Sequence, residues 1–411
     1  MATDDHTLET THGKAIREAH NGVSDVLLIL NQASVPGLHL RIPTHILFLG
    51  LPNPGARTPR LLNPHVAKFH NPPTMYTLTN IATHRFSGPE ETYVLDVDRT
   101  EAGLVTISSD QHLSLLRPAR LPDGPVASWQ TQHGNLTSLR VFDGSSSLVC
   151  TAGEDGTVAV WDLRLRGEQA RAAQFNAAPS PILSVACSPS TQTIAVGTEL
   201  RDHTASIFAW DVRAGARPRA HYQEVHSDDV TQLAFRPGQP AFLLSGSTDG
   251  LVNVYDTRVA DEDDVTLQTF NHGASIHRAG FLTGTEVVAL SHDEQFALYD
   301  VDEGAEGGDA AQNWGDLRSV LGCQYVADVM GKTDGSGAII GAGAQERQSF
   351  ELVFLARNQG HGPKWVFDRE NSVGLPGAHG EDIVRAFCFF DDAQVVFTAG
   401  EDGNVKAWRG S

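Results

Sequence analysis

The sequence predicts an all-β fold, a seven-bladed β-propeller, and three observations carry that prediction. The first is an internal repeat. Thr151-Ala-Gly-Glu-Asp-Gly-Thr-Val-Ala-Val-Trp161-Asp recurs as Ser245-Gly-Ser-Thr-Asp-Gly-Leu-Val-Asn-Val-Tyr255-Asp and as Thr398-Ala-Gly-Glu-Asp-Gly-Asn-Val-Lys-Ala-Trp408. Each copy reads as a strand, a two-residue Asp-Gly turn and a second strand, because Asp-Gly accepts the positive φ angles of a tight hairpin. The second is the spacing: weaker copies place third-strand anchors near 115, 161, 210, 255, 299, 354 and 408. Seven units of that size match propeller blades. The third is composition, with 40% hydrophobic residues and 39 glycines in 411 residues. That is enough apolar material for a large core, and no apolar run approaches the roughly 18 residues of a membrane-spanning helix.

Taken in chain order, residues 1–74 stand apart. They hold 8 of the 20 prolines, no tryptophan or tyrosine, and six basic against five acidic side chains. Proline interrupts regular elements, so this stretch is expected to be a low-complexity, mostly disordered extension. Met75, one of three methionines, is then a candidate start of the functional protein, with the propeller over 75–411. The chain stops three residues after Trp408, too soon for a fourth strand in the last blade. Thr77 to Phe86, strand-like through Tyr76, Leu78 and Ile81, is expected to supply it and so cover an open edge. Ile194 to Asp211, Val287 to Asp300 and Leu104 to Leu116 read as further hairpins. Ile339 to Phe354 fits the strand pattern but has no aspartate in its turn, and Gly341-Ala-Gly343 within it reads as a hairpin turn.

The repeats resemble the WD40 family from Thr77 to the C-terminus. At finer resolution the chain resembles the group of WD-repeat-containing protein 89 and its fungal relatives, through Val196-Gly-Thr-Glu-Leu-Arg, His226-Ser-Asp-Asp-Val and Ser291-His-Asp-Glu-Gln-Phe. The family pattern implies a buried network of a histidine before the first strand, a hydroxyl on the second, an aspartate in the turn and an aromatic on the third. Matching sets are His133, Thr151, Asp155 and Trp161; His226, Ser245, Asp249 and Tyr255; and His379, Thr398, Asp402 and Trp408. A catalytic reading is tempting, but an active site is needed once and this constellation recurs three times. Buried polar groups that satisfy one another account for it.

Fifty acidic against 30 basic side chains leave a net charge of −20. Sequence-independent nucleic-acid binding needs a basic surplus, so no direct nucleic-acid partner is expected. The four cysteines lie far apart without metal spacing, which fits a reduced nuclear or cytoplasmic compartment. The acidic start lacks a leader's early positive charge, and the sequon at Asn135 is read as an accident. No phosphate loop, nucleophile elbow or zinc motif occurs. Neither cofactor, metal site nor catalytic residue is expected, and a propeller hydrolase is the weakest reading.

Three groups of residues remain as candidates for binding protein partners. Arg164, Arg213 and Arg258 follow third strands; Trp161-Asp-Leu-Arg164 and Trp210-Asp-Val-Arg213 look like the WDxR box that docks some WD40 proteins to the cullin-4 ligase adaptor. The alternative is an ion pair within the blade. The irregular hairpins Glu199, Leu200, Arg201, Asp202, His203 and Ala344 to Arg347 replace the tight Asp-Gly turn with longer, charged loops. Asp261, Glu262, Asp263 and Asp264, with Asp302, Glu303, Glu306 and Asp309, are expected in loops between third and fourth strands on one face. A histone or ribosomal protein, being basic, would suit them. The expected function is a non-catalytic interaction scaffold, a monomer within a complex, with a cullin-4 ligase substrate receptor as the alternative.

Overall fold

The structure, a computed structural model, describes residues 75–410 apart from 89–90, 260, 302–307, 359, 361 and 363. The extension over 1–74, and with it the question of a start at Met75, lies outside the described residues. Seven antiparallel sheets follow one another along the chain, and each holds four consecutive strands except at the closure. The third strands are His112–Leu116, Thr157–Asp162, Ile207–Asp211, Leu251–Asp256, Gln295–Asp300, Ser349–Arg357 and Asn404–Arg409. They coincide with the seven anchors.

Strand character follows position in the blade. Second strands such as Gly103–Ser108 and Val395–Gly400 are buried at every residue, so they read as unbroken apolar and small residues. Fourth strands such as Arg171–Asn176 are mostly exposed and polar. Blades pack face to face. Leu290, Phe296 and Leu298 of blade five meet Ile340, Leu355 and Trp365 of blade six in one cluster. Where a neighbouring blade comes closest, only glycine fits: a Cβ on Gly197 would stand 2.5 Å from Val230 Cγ1.

The expected turn at Gly341-Ala-Gly343 is a correction. These residues lie inside the second strand of blade six, Gly337–Ala344, and are buried throughout. A Cβ on Gly341 would lie 2.4 Å from the Phe387 ring, and one on Gly343 would lie 2.1 Å from the Tyr325 ring. The glycines make room for aromatic rings; they do not turn the chain.

Closure uses the start of the described chain. Strand β2 (Thr79–Arg85) is the outer strand of blade seven, antiparallel to Asn404–Arg409, with Thr79 beside Arg409 and Arg85 beside Asn404. Strand β1 (Tyr76–Thr77) instead joins blade six as a fifth, parallel strand, with Tyr76 beside Val373. Leu78, buried between them, pins the crossing, so the segment that begins at Thr77 serves two blades and not one. Because strands alternate in direction within each blade, second-to-third turns and the linkers between blades share one face. First-to-second and third-to-fourth connections share the other.

Candidate functional site

Each network residue sits where its strand or turn aims it inward. In blade two His133 Nε2 lies 2.9 Å from Thr151 Oγ1 and Nδ1 lies 3.0 Å from Asp155, while Trp161 Nε1 donates to Thr151 Oγ1 at 2.8 Å. Blade seven repeats this with His379, Thr398, Asp402 and Trp408 at 2.6 to 2.9 Å. In blade four His226 meets Asp249 at 2.9 Å and Ser245 at 2.6 Å, and the Tyr255 hydroxyl takes the tryptophan's place at 2.7 Å from Ser245. One proton arrangement satisfies every group. The aromatic donates to the hydroxyl, the hydroxyl to Nε2, and Nδ1–H to the carboxylate. Burial pushes His133 below its usual pKa against the pull of Asp155. For Asp402 burial acts upward, but the hydrogen bond and charge of His379 outweigh it and hold the carboxyl low. The histidine, hydroxyl and aromatic of each set are buried.

A fourth histidine belongs to this series. His272 precedes the first strand of blade five, and its Nδ1 lies 2.9 Å from the Tyr299 hydroxyl and its Nε2 3.1 Å from the Gln295 carbonyl. Ala289 occupies the second-strand position, so ring and phenol meet directly. Spacing alone could have found it, since His272 stands nearly as far ahead of Tyr299 as His226 does of Tyr255. Between blades five and six a different device appears. Glu286, buried, accepts from Trp365 Nε1 at 2.8 Å, from Thr283 at 3.0 Å and from Lys364 Nζ at 2.7 Å, with Arg357 at 3.6 Å. Those contacts overcome the penalty of burial and keep its pKa low. No sequence motif marks this hub.

The partner-binding candidates fare differently. Arg164, Arg213 and Arg258 are exposed, yet each grips the aspartate two residues earlier with Nε and one Nη, at 2.6 to 2.9 Å to Asp162, Asp211 and Asp256. The fork expected to face a partner's carboxylate is closed on the chain itself. The guanidinium of Arg213 holds Asp211 down to about 2. The hairpin at Glu199 to His203 also needs correcting. It does not lack a tight turn; the turn is carried outward. Arg201 and Thr204 exchange backbone hydrogen bonds at 2.9 and 3.0 Å around Asp202 and His203, both at positive φ (52° and 67°). Neither is glycine, so the backbone is strained. The hairpin is braced by Leu200 N on Asp229 at 2.7 Å and by Arg201 on the Pro179 carbonyl at 2.5 Å. The blade-six counterpart is a short 3₁₀ turn, Gln345–Arg347.

The run Asp261 to Asp264 is not a loop. It caps and forms a one-turn helix, Glu262–Val265, in which Asp261 accepts from Asp263 N. Glu262 accepts from the backbone N–H groups of Gln223 and Glu224, so it fastens the blade-three linker instead of facing solvent. Asp261, Asp263 and Asp264 are exposed, as is Asp309; Asp302, Glu303 and Glu306 lie outside the described residues.

First strands surround a central cavity of ≈ 660 Å³ whose lining includes Asp96, Arg140, His277, Arg278, Glu294 and Asp328. Arg140 pairs with Asp96 at 3.4 Å and Arg278 with Asp328 at 3.0 Å. Burial lifts Asp96 to about 6 despite Arg140, and burial with the charge of Arg278 drops His277 to about 3. Glu294 stands at positive φ (61°) in the turn position that glycine fills in blades two, four and seven. Its Oε1 accepts from Val326 N at 3.1 Å, its Oε2 is buried without a partner, and burial raises it to about 7. Among the described residues no group of three side chains could hold a metal ion, and no helix is long and apolar enough to cross a membrane.

Comparison with known proteins gives the following. The family model for the WD domain, G-beta repeat, matches residues 124–162, 218–256 and 371–409, the three blades with complete networks. A WD repeat-containing protein of Schizosaccharomyces pombe is 28% identical over 341 residues, 81% of this chain and 99% of that protein. One of Saccharomyces cerevisiae is 34% identical over 266 residues, 64% of each chain. The WD repeat-containing protein 89 homolog of Dictyostelium discoideum is 24% identical over 245 residues, 59% of this chain and 63% of that protein.

Proposed function

Because the chain belongs to the WD40-repeat family, we propose that it is a non-catalytic scaffold, a monomer within a nuclear or cytoplasmic complex, that recruits a basic protein partner. The observation that carries this reading is the threefold recurrence of one polar constellation in which every polar atom is spent on another. Such chemistry builds a rigid ring and leaves function to the loops it presents. The braced, strained hairpin at Glu199 to Thr204 and the exposed carboxylates of Asp261, Asp263 and Asp264 are the contact elements. Long-range attraction by those carboxylates speeds capture and weakens with salt.

Affinity purification with mass spectrometry tests this on three proteins: wild type, a variant with residues 199–204 shortened to an Asp-Gly turn, and Asp263→Asn with Asp264→Asn. Each variant should keep its melting temperature and lose a subset of partners. Retention of every partner by both would reject the assignment. The alternative, a cullin-4 ligase receptor, rests on the WDxR boxes, whose arginine forks are already occupied by Asp162 and Asp211. Adaptor capture by wild type, lost in Arg164→Ala with Arg213→Ala, would favour it. A propeller hydrolase would need turnover that a single substitution abolishes.

A further inference from the structure

The molecule is strongly acidic, yet one groove is lined by Arg219 and Arg258 and by a Phe242 ring that Arg236 also covers. It lies between blades three and four, on the face formed by first-to-second and third-to-fourth connections, and encloses ≈ 460 Å³. Its lining includes Thr193, Arg219, Pro240, Phe242 and Arg258. Arg236 and Arg258 both lie over the Phe242 ring, at 5.3 and 5.4 Å from its centroid. Arg258 is neutralised by Asp256 at 2.6 Å. Arg219 gives one Nη to the Thr257 carbonyl at 3.1 Å, and Arg236 Nε is buried with no hydrogen-bond partner. Among the described residues neither Arg219 nor Arg236 forms an ion pair.

Setting two guanidinium groups over one ring is costly, and so is placing Arg219 in the same lining as Arg258. Both costs fall when an anion enters the groove. The apolar wall of Pro240 and Phe242 favours a ligand that also brings an apolar side chain. A planar carboxylate matches the arginine fork. We propose that this groove docks an acidic segment of a partner protein, with a carboxylate on Arg219 and an apolar residue against Phe242. Its lining does not include Asp263 or Asp264, so the scaffold would present a cationic contact beside the acidic one.

The test uses fluorescein-labelled twelve-residue peptides rich in Glu and Asp that differ in one central apolar residue. A lysine-rich set and a single-stranded RNA of matching length serve as competitors, all read by anisotropy on the full chain. Acidic peptides should bind, more tightly with a central aromatic than with alanine, and more weakly as salt rises. Arg219→Ser should weaken binding about tenfold, and Arg219→Ser with Phe242→Leu more, while Asp263→Asn with Asp264→Asn should not weaken it. Circular dichroism melts confirm that each variant is folded. No binding of any acidic peptide, equal binding by Arg219→Ser, or tighter binding of the RNA would overturn the proposal. Loss of the basic partner in Asp263→Asn with Asp264→Asn reports on the scaffold reading alone, so the two can fail separately.

Discussion

Blades four and six solve the same problem with opposite chemistry. Blade four binds its strands together through hydrogen bonds passed along His226, Ser245, Tyr255 and Asp249. Blade six has no such relay. It replaces side chains with Gly341 and Gly343 to admit the rings of Phe387 and Tyr325, and ties its outer strand to blade five through the carboxylate of Glu286. A relay is internal to its blade and can be copied around a ring. A charged hub between blades is a single solution, held only while every partner stays in place.

That difference sets the expected order of damage. Glu286→Ala should be the most destabilising single change, by about 2–4 kcal/mol in urea unfolding, because it strands the buried Trp365 N–H beside a cavity. His226→Ala should cost less, about 1–3 kcal/mol, since Asp249 keeps the backbone N–H groups of Ser227 and Leu251. The reverse order would mean that the relay, and not the hub, is the critical fastening.

Acid separates the two further. The lowered pKa of His133 means the unfolded state takes up a proton first as pH falls below about 6.5, so that part of the stability is present above 6.5 and declines below it. The lowered carboxyls of Asp249 and Asp402 contribute above about 4 and lose that contribution under stronger acid. Glu294 acts the other way. With a folded pKa near 7 against 4.5, it is a charge the fold must bury at high pH. Glu294→Gln should therefore stabilise at pH 8, by about 1–3 kcal/mol, with the gain shrinking towards pH 5. Melts across that range check the sign. The smallest effect belongs to Arg213→Ala, an exposed pair that should leave the melting temperature unmoved.

The repeating parts were legible in the sequence because repetition is itself a signal. Asp155, Asp249 and Asp402 stand beside glycine in three matching turns, and Trp161, Tyr255 and Trp408 fall at one distance beyond them. The closing outer strand could be expected from the strand-like residues Tyr76, Leu78 and Ile81. What stayed hidden depends on a single long-range encounter. Glu286 looks like any strand-edge acid until Trp365 and Lys364 arrive from the next blade. Gly341 reads as a turn until Phe387 needs its space. Glu262 reads as a solvated charge until the backbone of Gln223 and Glu224 reaches it. For Arg164, Arg213 and Arg258 the sequence left two partners open, a carboxylate on another protein or one within the blade, and the structure gives Asp162, Asp211 and Asp256.

The pairing of Thr79 with Arg409 has a kinetic consequence. Six blades draw their four main strands from neighbouring stretches of chain and can form as they leave the ribosome. Blade seven cannot, because its outer strand is made early and must wait for its partner until Asn404–Arg409 has been synthesised. The closing contact has the largest sequence separation in the sheets, and such contacts form slowly. During that interval β2 and the third strand of blade seven each present an uncovered edge, making the nascent ring a client for chaperones until its two ends meet.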